Sequence, residues 1–256
     1  MTRLRIYSIE GNIGSGKTTI IENLQKTFEN NPKVVFIREP VDIWQTIKDA
    51  DGETILAKFY KDPAKYAFTF QVMAYSTRLS MLRAAILQNP RCDVIICERS
   101  LDADKHIFEK MLYHDGLIDE VSHQIYQRFY GEFQDEFQLA GIIYIDADAQ
   151  VCKERIEKRA RVGEETVALD YLEKCQHYHE AWLSDKELNA PVLKIKTNEE
   201  VTYDLTCPND KGVVWMMQIL EFISLTNVQK ISPVESLEEV CGRQIERFEE
   251  FYNPNI

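Results

Sequence analysis

Short apolar runs alternate with longer stretches of helical periodicity along most of the chain. The apolar runs are rich in Ile and Val and cover residues 5–9, 34–37, 93–97, 141–145 and 191–195. Runs of this length with β-branched side chains predict buried strands. Apolar residues recur at helical spacing between them, most clearly over residues 63–88 and 149–161. This alternation predicts an α/β fold in which a central five-stranded parallel sheet is covered by helices on both faces.

The C-terminal part of the chain gives weaker signals. Residues 189–210 are irregular, residues 212–225 predict an apolar helix packed on the sheet, and the extension 232–256 suggests no function. No repeat and no Gly/Ser-rich linker interrupts the 256 residues, which are 45% hydrophobic and 28% charged. We therefore expect a single domain over residues 1–256.

The charge balance and the cysteines narrow the partners and the compartment. The chain carries 42 acidic and 30 basic residues, a net charge of −12, which argues against polynucleotide binding. No run of roughly 18 apolar residues predicts a membrane span. The six cysteines show no C-x-x-C spacing, which favours a reducing compartment over a disulfide framework or a zinc site. We expect a cytoplasmic protein with small-molecule partners.

The first predicted strand leads directly into a phosphate-binding motif. Residues 11–18 match G-x-x-x-x-G-K-T, and a predicted helix follows over residues 19–28. Backbone N–H groups of such a loop cradle a phosphate, the helix N-terminus adds a positive dipole end, Lys17 supplies a point charge and Thr18 can bind Mg²⁺. The motif predicts a nucleoside triphosphate such as ATP, against the alternative of a glycine turn without a ligand. The candidate ATP ligands here are Gly11, Asn12, Ile13, Gly14, Ser15, Gly16, Lys17, Thr18 and Thr19.

Charged residues follow the second and third predicted strands. Glu39 comes after the second strand, and Glu98 and Arg99 end the third. Open α/β sheets bind ligands at this edge. A carboxylate there can accept a hydroxyl proton or lie near Mg²⁺, and an arginine can neutralise a transferring phosphoryl group. For Glu39 alone, a solvated glutamate at a strand end is an equal alternative.

Polar side chains also share one face of the long predicted helix. Gln71, Ala74 and Arg78 lie at i, i+3 and i+7 among mostly apolar neighbours. A buried amide and guanidinium need partners, and a planar heterocyclic base offers matching donors and acceptors. The alternative is that Arg78 pairs with an acid such as Asp104 and only holds two helices together.

A cluster of three arginines follows the fourth predicted strand. Arg155 and Arg159 are one helical turn apart, and Arg161 lies just beyond them. A lid over residues 155–168 that closes on phosphates has this composition, because phosphoryl transfer depends mostly on positioning and charge neutralisation. A solvated basic helix face is the alternative.

Taken together, these motifs resemble the deoxynucleoside kinase family, whose members phosphorylate the 5′-hydroxyl of deoxynucleosides. The resemblance spans residues 5–183. It rests on the phosphate loop, Glu39-Pro40 with Trp44, Phe68-Thr69-Phe70-Gln71 with Tyr60 eleven residues before the glutamine, Glu98-Arg99-Ser100 with Asp104 and Phe108, and the lid arginines with Glu164-Glu165.

The resemblance implies a role for each matching residue. Glu39 resembles the general base. Arg99 resembles the arginine that stabilises the transition state, and Lys17 is the third catalytic residue that the resemblance implies. Thr18 and Glu98 resemble the residues on the Mg²⁺ side. Gln71 resembles the glutamine that binds the base edge. Three aromatic residues resemble the walls around the base, namely Trp44, Phe70 and Phe108. Tyr60 and Glu164 resemble the pair that holds the 3′-hydroxyl, although Val162-Gly163 departs from the family pattern and leaves the choice between Glu164 and Glu165 open. Three arginines resemble the lid residues that bind the donor phosphates, namely Arg155, Arg159 and Arg161.

The residues at the base end favour one branch of the family. Ala74, Arg78 and Asp104 resemble the deoxycytidine and deoxyguanosine kinase branch, which implies cytosine or purine deoxynucleosides rather than thymidine and a role in nucleotide salvage. Relatives of this kind are commonly homodimers that use ATP with Mg²⁺. Two alternatives remain: a nucleoside monophosphate kinase of the thymidylate kinase type, and a nucleotide-binding regulatory protein that has lost catalysis.

Overall fold

The computed structural model describes residues 4–28, 31–161, 164, 167–207 and 209–226. Five strands form the sheet: β1 (Arg5–Gly11), β2 (Val34–Ile37), β3 (Val94–Glu98), β4 (Leu139–Asp146) and β5 (Val192–Lys196). All neighbouring pairs are parallel, in the spatial order β2-β3-β1-β4-β5. The predicted five-stranded parallel sheet is confirmed, and its order places β1 and the phosphate loop at the centre.

Helices connect the strands. They are α1 (Lys17–Thr27), α2 (Val41–Thr46), α3 (Ile55–Lys61), α4 (Pro63–Gln88), α5 (Leu101–Ala103), a π-helical segment (Asp104–Glu109), α6 (Lys110–His114), α7 (Glu120–Gly131), α8 (Ala149–Arg159), α9 (Leu169–Leu183) and α10 (Lys211–Leu225). The predicted helix over residues 63–88 matches α4 at both ends. Its start has a local cause, because Asp62 caps the Lys65 N–H and Pro63 occupies the first turn.

Each face of the sheet has its own apolar core, because successive strand residues point to opposite sides. On one face, Tyr7 and Ile9 pack with residues of α1 and α10 such as Ile20 and Ile219. On the other, Ile95 belongs to a cluster with residues of α4 and α7. The strands are therefore buried on both sides, which explains why they read as continuous apolar runs.

Two predicted helix boundaries were wrong. The stretch 149–161 ends as a helix at Arg159, because Ala160 adopts a left-handed conformation with φ of 49°. The helix after the phosphate loop begins at Lys17 rather than at residue 19. The extension 232–256 and four residues of the predicted lid, at positions 162, 163, 165 and 166, lie outside the described residues.

The packing of α10 on the sheet gives a stability prediction at Gly141. A Cβ added there would lie 2.8 Å from the Phe222 ring of α10 and 3.1 Å from Tyr7. Because both neighbours are well packed, we expect Gly141→Ala to cost about 1–3 kcal/mol in the free energy of unfolding and to lower Tm by about 2–4 °C for each kcal/mol.

Gly131→Ala is the matched control. Gly131 lies in a helix, and nothing lies within 4 Å of the added Cβ. The Tm of this variant should therefore be unchanged or slightly higher. Equal Tm values for both variants would contradict the packing argument.

Candidate active site

The phosphate loop joins β1 to α1 and is shaped by its glycines. Gly14 and Gly16 have φ values of 79° and 102°, a region that favours glycine. At Gly14, an added Cβ would also lie 2.6 Å from the Cys152 carbonyl of α8. The loop therefore brings its backbone close to α8 and presents the N-terminus of α1 to the neighbouring cavity.

Lys17 is buried below this loop. Its Nζ donates to the carbonyls of Asn12 at 2.8 Å and Gly11 at 3.3 Å. Burial, with the nearby positive charge of Arg99, lowers the pKa of Lys17 to about 8. A negatively charged neighbour would strongly stabilise the ammonium form of Lys17.

Thr18 and Glu98 meet at the start of α1. The Thr18 hydroxyl donates to Glu98 Oε1 at 2.7 Å, and Glu98 is 5% exposed at the end of β3. A hydroxyl and a carboxylate beside a phosphate loop are the hard oxygen ligands that Mg²⁺ prefers. These two residues fit the predicted metal side.

Arg78 connects three elements at the opposite end of the site. It is 6% exposed, and its Nε donates to Asp104 Oδ2 at 2.9 Å while Nη2 donates to Glu39 Oε1 at 2.8 Å. Its Nη1 donates to the Glu98 carbonyl at 3.3 Å. The predicted pairing with Asp104 is therefore present, but the same guanidinium also holds Glu39.

Arg99 supplies a second cation to Glu39. Its Nε lies 3.2 Å from Glu39 Oε1, its guanidinium lies over the Phe108 ring at 4.7 Å, and its buried Nη1 has no hydrogen-bond partner among the described residues. The Arg99 backbone is left-handed, with φ of 64°, and its N–H donates to the Ile9 carbonyl. A non-glycine residue held in this conformation is a mark of functional sites.

The charges around Glu39 and Asp104 affect the two carboxyl groups differently. Burial alone would raise the pKa of Glu39, but Arg78, Arg99 and Lys17 together lower it to about 2. Burial raises the pKa of Asp104 to about 6 in spite of Arg78. Glu39 is therefore a carboxylate at any physiological pH.

An aromatic compartment adjoins these charges. Phe70 stacks on Phe59 with ring centroids 4.7 Å apart and meets Trp44 edge-on at 5.3 Å. The neighbouring Gln71 is 2% exposed, and its Oε1 has no hydrogen-bond partner among the described residues. A buried amide oxygen without a protein partner, beside flat apolar walls, is suited to a planar polar ligand.

The phosphate loop and the aromatic compartment open into one cavity of about 440 Å³. Every site residue predicted from the sequence lines it except Gly11 and Asn12. Asn12 instead donates to the Leu172 carbonyl and accepts from the N–H of Ile13, which fixes the loop from behind. The two sets of predicted residues, for a donor phosphate and for an acceptor, therefore face each other.

The predicted sugar and lid residues also lie together. Glu164 is 4% exposed and pairs with both Arg159 and Arg161, the latter at 3.2 Å. Burial raises the pKa of Tyr60, with the negative charge of Glu164 as the next cause, which places the phenol close to that carboxylate. In this structure two of the lid arginines therefore bind Glu164. Glu165, the other candidate, lies outside the described residues.

Comparison with known proteins identifies the family. The family model for deoxynucleoside kinases matches residues 7–223. This chain belongs to the deoxynucleoside kinase family. A probable deoxycytidine kinase of Fowlpox virus is 39% identical over 223 residues, which cover 85% of this chain and 87% of that protein. Human deoxycytidine kinase is 30% identical, covering 87% and 92% of the two chains. The mitochondrial deoxyguanosine kinase of Xenopus laevis is 33% identical, covering 77% and 83%.

The donor end of the kinase includes residues that the sequence did not suggest. Arg155 donates to the carbonyls of Ser15, Thr197 and Glu199, so it joins the phosphate loop to the segment after β5. Tyr203 and Trp215 line the same end of the cavity, with ring centroids 6.4 Å apart. Tyr203 lies in the stretch predicted as irregular and Trp215 in the predicted helix over residues 212–225, and no local motif marks either aromatic residue.

Glu10 is a further buried acid of the kinase that the sequence did not suggest. It is fully buried in β1, and neither carboxylate oxygen has a well-formed hydrogen bond among the described residues. Burial raises its pKa, opposed first by the positive charge of Arg99. In the sequence it is one polar residue inside an apolar strand, which gave no reason to place it beside the catalytic candidates.

None of the described helices is both long and apolar enough to cross a lipid bilayer. The relatives do not all share one compartment, since the Xenopus laevis deoxyguanosine kinase is named as mitochondrial.

The pKa of Lys17 gives a prediction for donor binding. A phosphate ligand needs the ammonium form, and this form is lost in the free kinase as the pH rises through about 8. We expect the affinity for Mg-ATP to fall above that pH, by up to about tenfold per pH unit. Equilibrium titrations between pH 7 and pH 9.5 measure this.

Lys17→Arg is the control, because a guanidinium does not titrate in this range. Its affinity should stay flat with pH whatever its absolute value. A wild-type affinity that is also flat would contradict the role of Lys17.

Proposed function

We propose that this kinase transfers the γ-phosphoryl group of ATP to the 5′-hydroxyl of deoxycytidine or a purine deoxynucleoside, and prefers these acceptors to thymidine. The proposal is carried by the buried Arg78–Asp104 pair and by Gln71, whose Oε1 has no hydrogen-bond partner among the described residues. All three residues line the cavity that contains the phosphate loop. These groups combine donors, an acceptor and flat apolar walls, which is the chemistry that a nucleobase requires.

Base recognition follows from the arrangement of these polar groups. The Gln71 amide offers an acceptor and donors to the base edge, while Asp104 can accept from an exocyclic amino group and Arg78 can donate to a ring nitrogen. We expect the Arg78–Asp104 pair to crowd the 5-methyl group of thymine. Ala74 lies on the same wall and adds no bulk. Trp44, Phe70 and Phe108 would enclose the faces of the base.

Glu39 and Arg99 would act on the 5′-hydroxyl. With a pKa of about 2, Glu39 is a weak base that is always ionised, so it suits a reaction in which the proton leaves late. Phosphoryl transfer passes through a loose transition state and needs positioning more than a strong base. Arg99, whose Nη1 has no hydrogen-bond partner in the described part of the chain, would donate to the phosphoryl oxygens, and Lys17 would neutralise the donor phosphates.

Thr18 and Glu98 would hold Mg²⁺ with the donor phosphates. Their hydroxyl and carboxylate oxygens lie 2.7 Å apart beside the phosphate loop, which suits an ion that keeps several waters and phosphate oxygens as ligands. The ion would neutralise charge on the transferring phosphates. Thr18 and Glu98 would fix its place.

The lid residues would exchange partners when the donor binds. Arg159 and Arg161 now pair with Glu164, and phosphates would compete for them. A released Glu164, near Tyr60, would then accept from the 3′-hydroxyl of the sugar. Both contacts come from the end of α8 and the residues just after it, so sugar and donor binding would depend on each other.

The two alternatives lack specific support. A monophosphate acceptor needs cations of its own, whereas Arg78 and Arg99 both contact Glu39 at the acceptor end. A regulatory protein without catalysis has no need for a carboxylate and two arginines at the junction of donor and acceptor sites. We also propose a cytoplasmic role in nucleotide salvage, which agrees with free thiols at the described cysteines, and a homodimer, for which α7 exposes Val121 and Ile125 one turn apart.

Replacement of Glu39 tests the proton acceptor. Glu39→Gln keeps an oxygen for Arg78 and Arg99 but removes the charge, so we expect kcat to fall by about 10²- to 10⁴-fold with KM for ATP little changed. Steady-state kinetics with deoxycytidine measure this. Glu22→Gln, which removes an exposed carboxylate of α1 that pairs with Arg38, should leave kcat unchanged. Full turnover in Glu39→Gln would remove Glu39 from this role.

Paired replacement of Arg78 and Asp104 tests the base preference. Removing Arg78 alone would leave Asp104 as an unpaired buried charge, so we replace both, as Arg78→Met with Asp104→Ala. We expect the ratio of kcat/KM for thymidine to that for deoxycytidine to rise at least about tenfold, which corresponds to about 1.4 kcal/mol. The ratio is the measurement, because the loss of Arg78 also affects Glu39 and lowers turnover on every acceptor.

The wild-type assay compares four deoxynucleosides with deoxycytidine monophosphate. Highest kcat/KM on deoxycytidine or a purine deoxynucleoside is the expected outcome. Preference for thymidine would overturn the assignment of the base site, and activity only on the monophosphate would favour the first alternative.

A further inference from the structure

The π-helical segment Asp104–Glu109 carries two residues of the acceptor site. Asp104 pairs with Arg78, and Phe108 lies under Arg99. A π turn contains more residues than an α turn, is rare, and occurs frequently at functional sites. Regular α-helix precedes it in α5 and follows it in α6, so the extra residue per turn is confined to this segment.

Glu109 ends this segment and is fully buried, although it is not on the wall of the cavity. Its Oε1 lies 2.7 Å from His123 Nδ1, and its Oε2 accepts from Gln127 Nε2 at 3.1 Å. A buried carboxylate is costly unless such partners satisfy it. Both oxygens of Glu109 are therefore fixed to α7.

The next turn of the chain is fixed to α7 as well. The Tyr113 ring of α6 stacks on His123 with ring centroids 3.8 Å apart, and the Tyr113 hydroxyl donates to Glu120 at 2.5 Å. His123 and Gln127 are one helical turn apart, so a single face of α7 holds the chain at Glu109 and again at Tyr113.

Tyr126 places the same face of α7 close to Asp104. It is fully buried, and its hydroxyl has no hydrogen-bond partner among the described residues. Burial raises its pKa, with the negative charges of Asp104 and Glu109 as the next causes. Helix α7 packs directly against the π-helical segment that carries both carboxylates. Helix α7 therefore lies behind the acid that the proposed function assigns to the base.

The winding of the segment decides where its side chains point. An α-helix turns by about 100° per residue, so loss of the extra residue would rotate one side of the segment by about that angle relative to the other. Asp104 and Phe108 could then not face Arg78 and Arg99 together while Glu109 faced His123. The contacts of Glu109 and those of Asp104 thus constrain the same turn from its two ends.

We propose that Glu109, held by His123 and Gln127, is a positioning residue that fixes the π-helical winding of residues 104–109 and thereby directs Asp104 and Phe108 into the acceptor site. The inference rests on the proposed function, because it takes Asp104 as a residue that recognises the base. It adds a determinant of substrate affinity that does not itself touch the substrate.

Kinetics of Glu109 variants test the inference. We expect Glu109→Ala to raise KM for deoxycytidine roughly tenfold, with kcat and KM for ATP within about twofold of wild type. Glu109→Gln keeps an acceptor oxygen and should fall between wild type and Glu109→Ala. If Glu109→Ala does not fold, Gln127→Ala removes one of the two contacts and should raise the same KM by a smaller factor. An unchanged KM for deoxycytidine in the folded variants would overturn the inference.

Glu136→Ala is the matched control for general loosening. Glu136 is a buried carboxylate that pairs with Arg83 just beyond α7, away from the π-helical segment. We expect this variant to lower Tm and to leave KM for deoxycytidine unchanged. An equal rise in KM in Glu136→Ala would overturn the inference, because any loss of stability would then give the same result.

A double-mutant cycle with Asp104→Asn separates this inference from the proposed function. Asp104→Asn alone should raise KM for deoxycytidine, and adding Glu109→Ala should then raise it little further. If the two substitutions raise KM for deoxycytidine by fully additive amounts, Glu109 does not act through Asp104, and the inference is overturned. If Asp104→Asn raises KM and Glu109→Ala does not, only the positioning role fails. If Asp104→Asn leaves KM unchanged, the assignment of Asp104 to the base fails, and the route through it fails too.

Discussion

The structure of the site depends on one buried guanidinium. Arg78 lies in α4 and binds Asp104 of the π-helical segment, Glu39 after β2 and the carbonyl of Glu98 at the end of β3. Four elements thus meet at a single charge. A buried cation is tolerated only when nearby anions and acceptors satisfy it, and loss of one partner leaves the others uncompensated. The same contacts of Arg78 therefore fix both the packing of α4 on the sheet and the shape of the acceptor site.

The same clustering of charge extends to Lys17 at the phosphate loop. Arg99 shares Glu39 with Arg78 and also contributes, after burial, to the low pKa of Lys17. Three buried cations, Lys17, Arg78 and Arg99, therefore lie around the carboxylates Glu39, Glu98 and Asp104. A cluster of buried positive charges of this kind suits a polyanion.

The sequence predicted those parts of the kinase whose cause is local. The strands, α4 and the phosphate loop follow from apolar runs, from the Asp62 cap with Pro63 and from a spaced glycine motif. The end of α8 at Ala160 did not follow, because alanine carries no signal for a left-handed residue. The π-helical segment shows apolar spacing that also fits an α-helix, so only the tertiary contacts of Asp104 and Glu109 distinguish the two. Tyr203 reaches the cavity from an irregular segment without a motif, and Trp215 reaches it from α10, whose apolar pattern does not show that this residue faces the cavity.

Under the proposed function, substrate binding to this kinase is an exchange of partners. Lys17 donates to backbone carbonyls, Arg159 and Arg161 bind Glu164, and Glu39 binds two arginines. Under the proposed function, phosphates and the sugar hydroxyls would take over several of these contacts. Each new contact then contributes only the difference between the ligand and the internal partner that it replaces. A ligand that displaced those internal partners without replacing them would leave charges unpaired between the donor and acceptor sites. Under the proposed function, discrimination between ligands would therefore depend on the contacts that the protein already makes within itself.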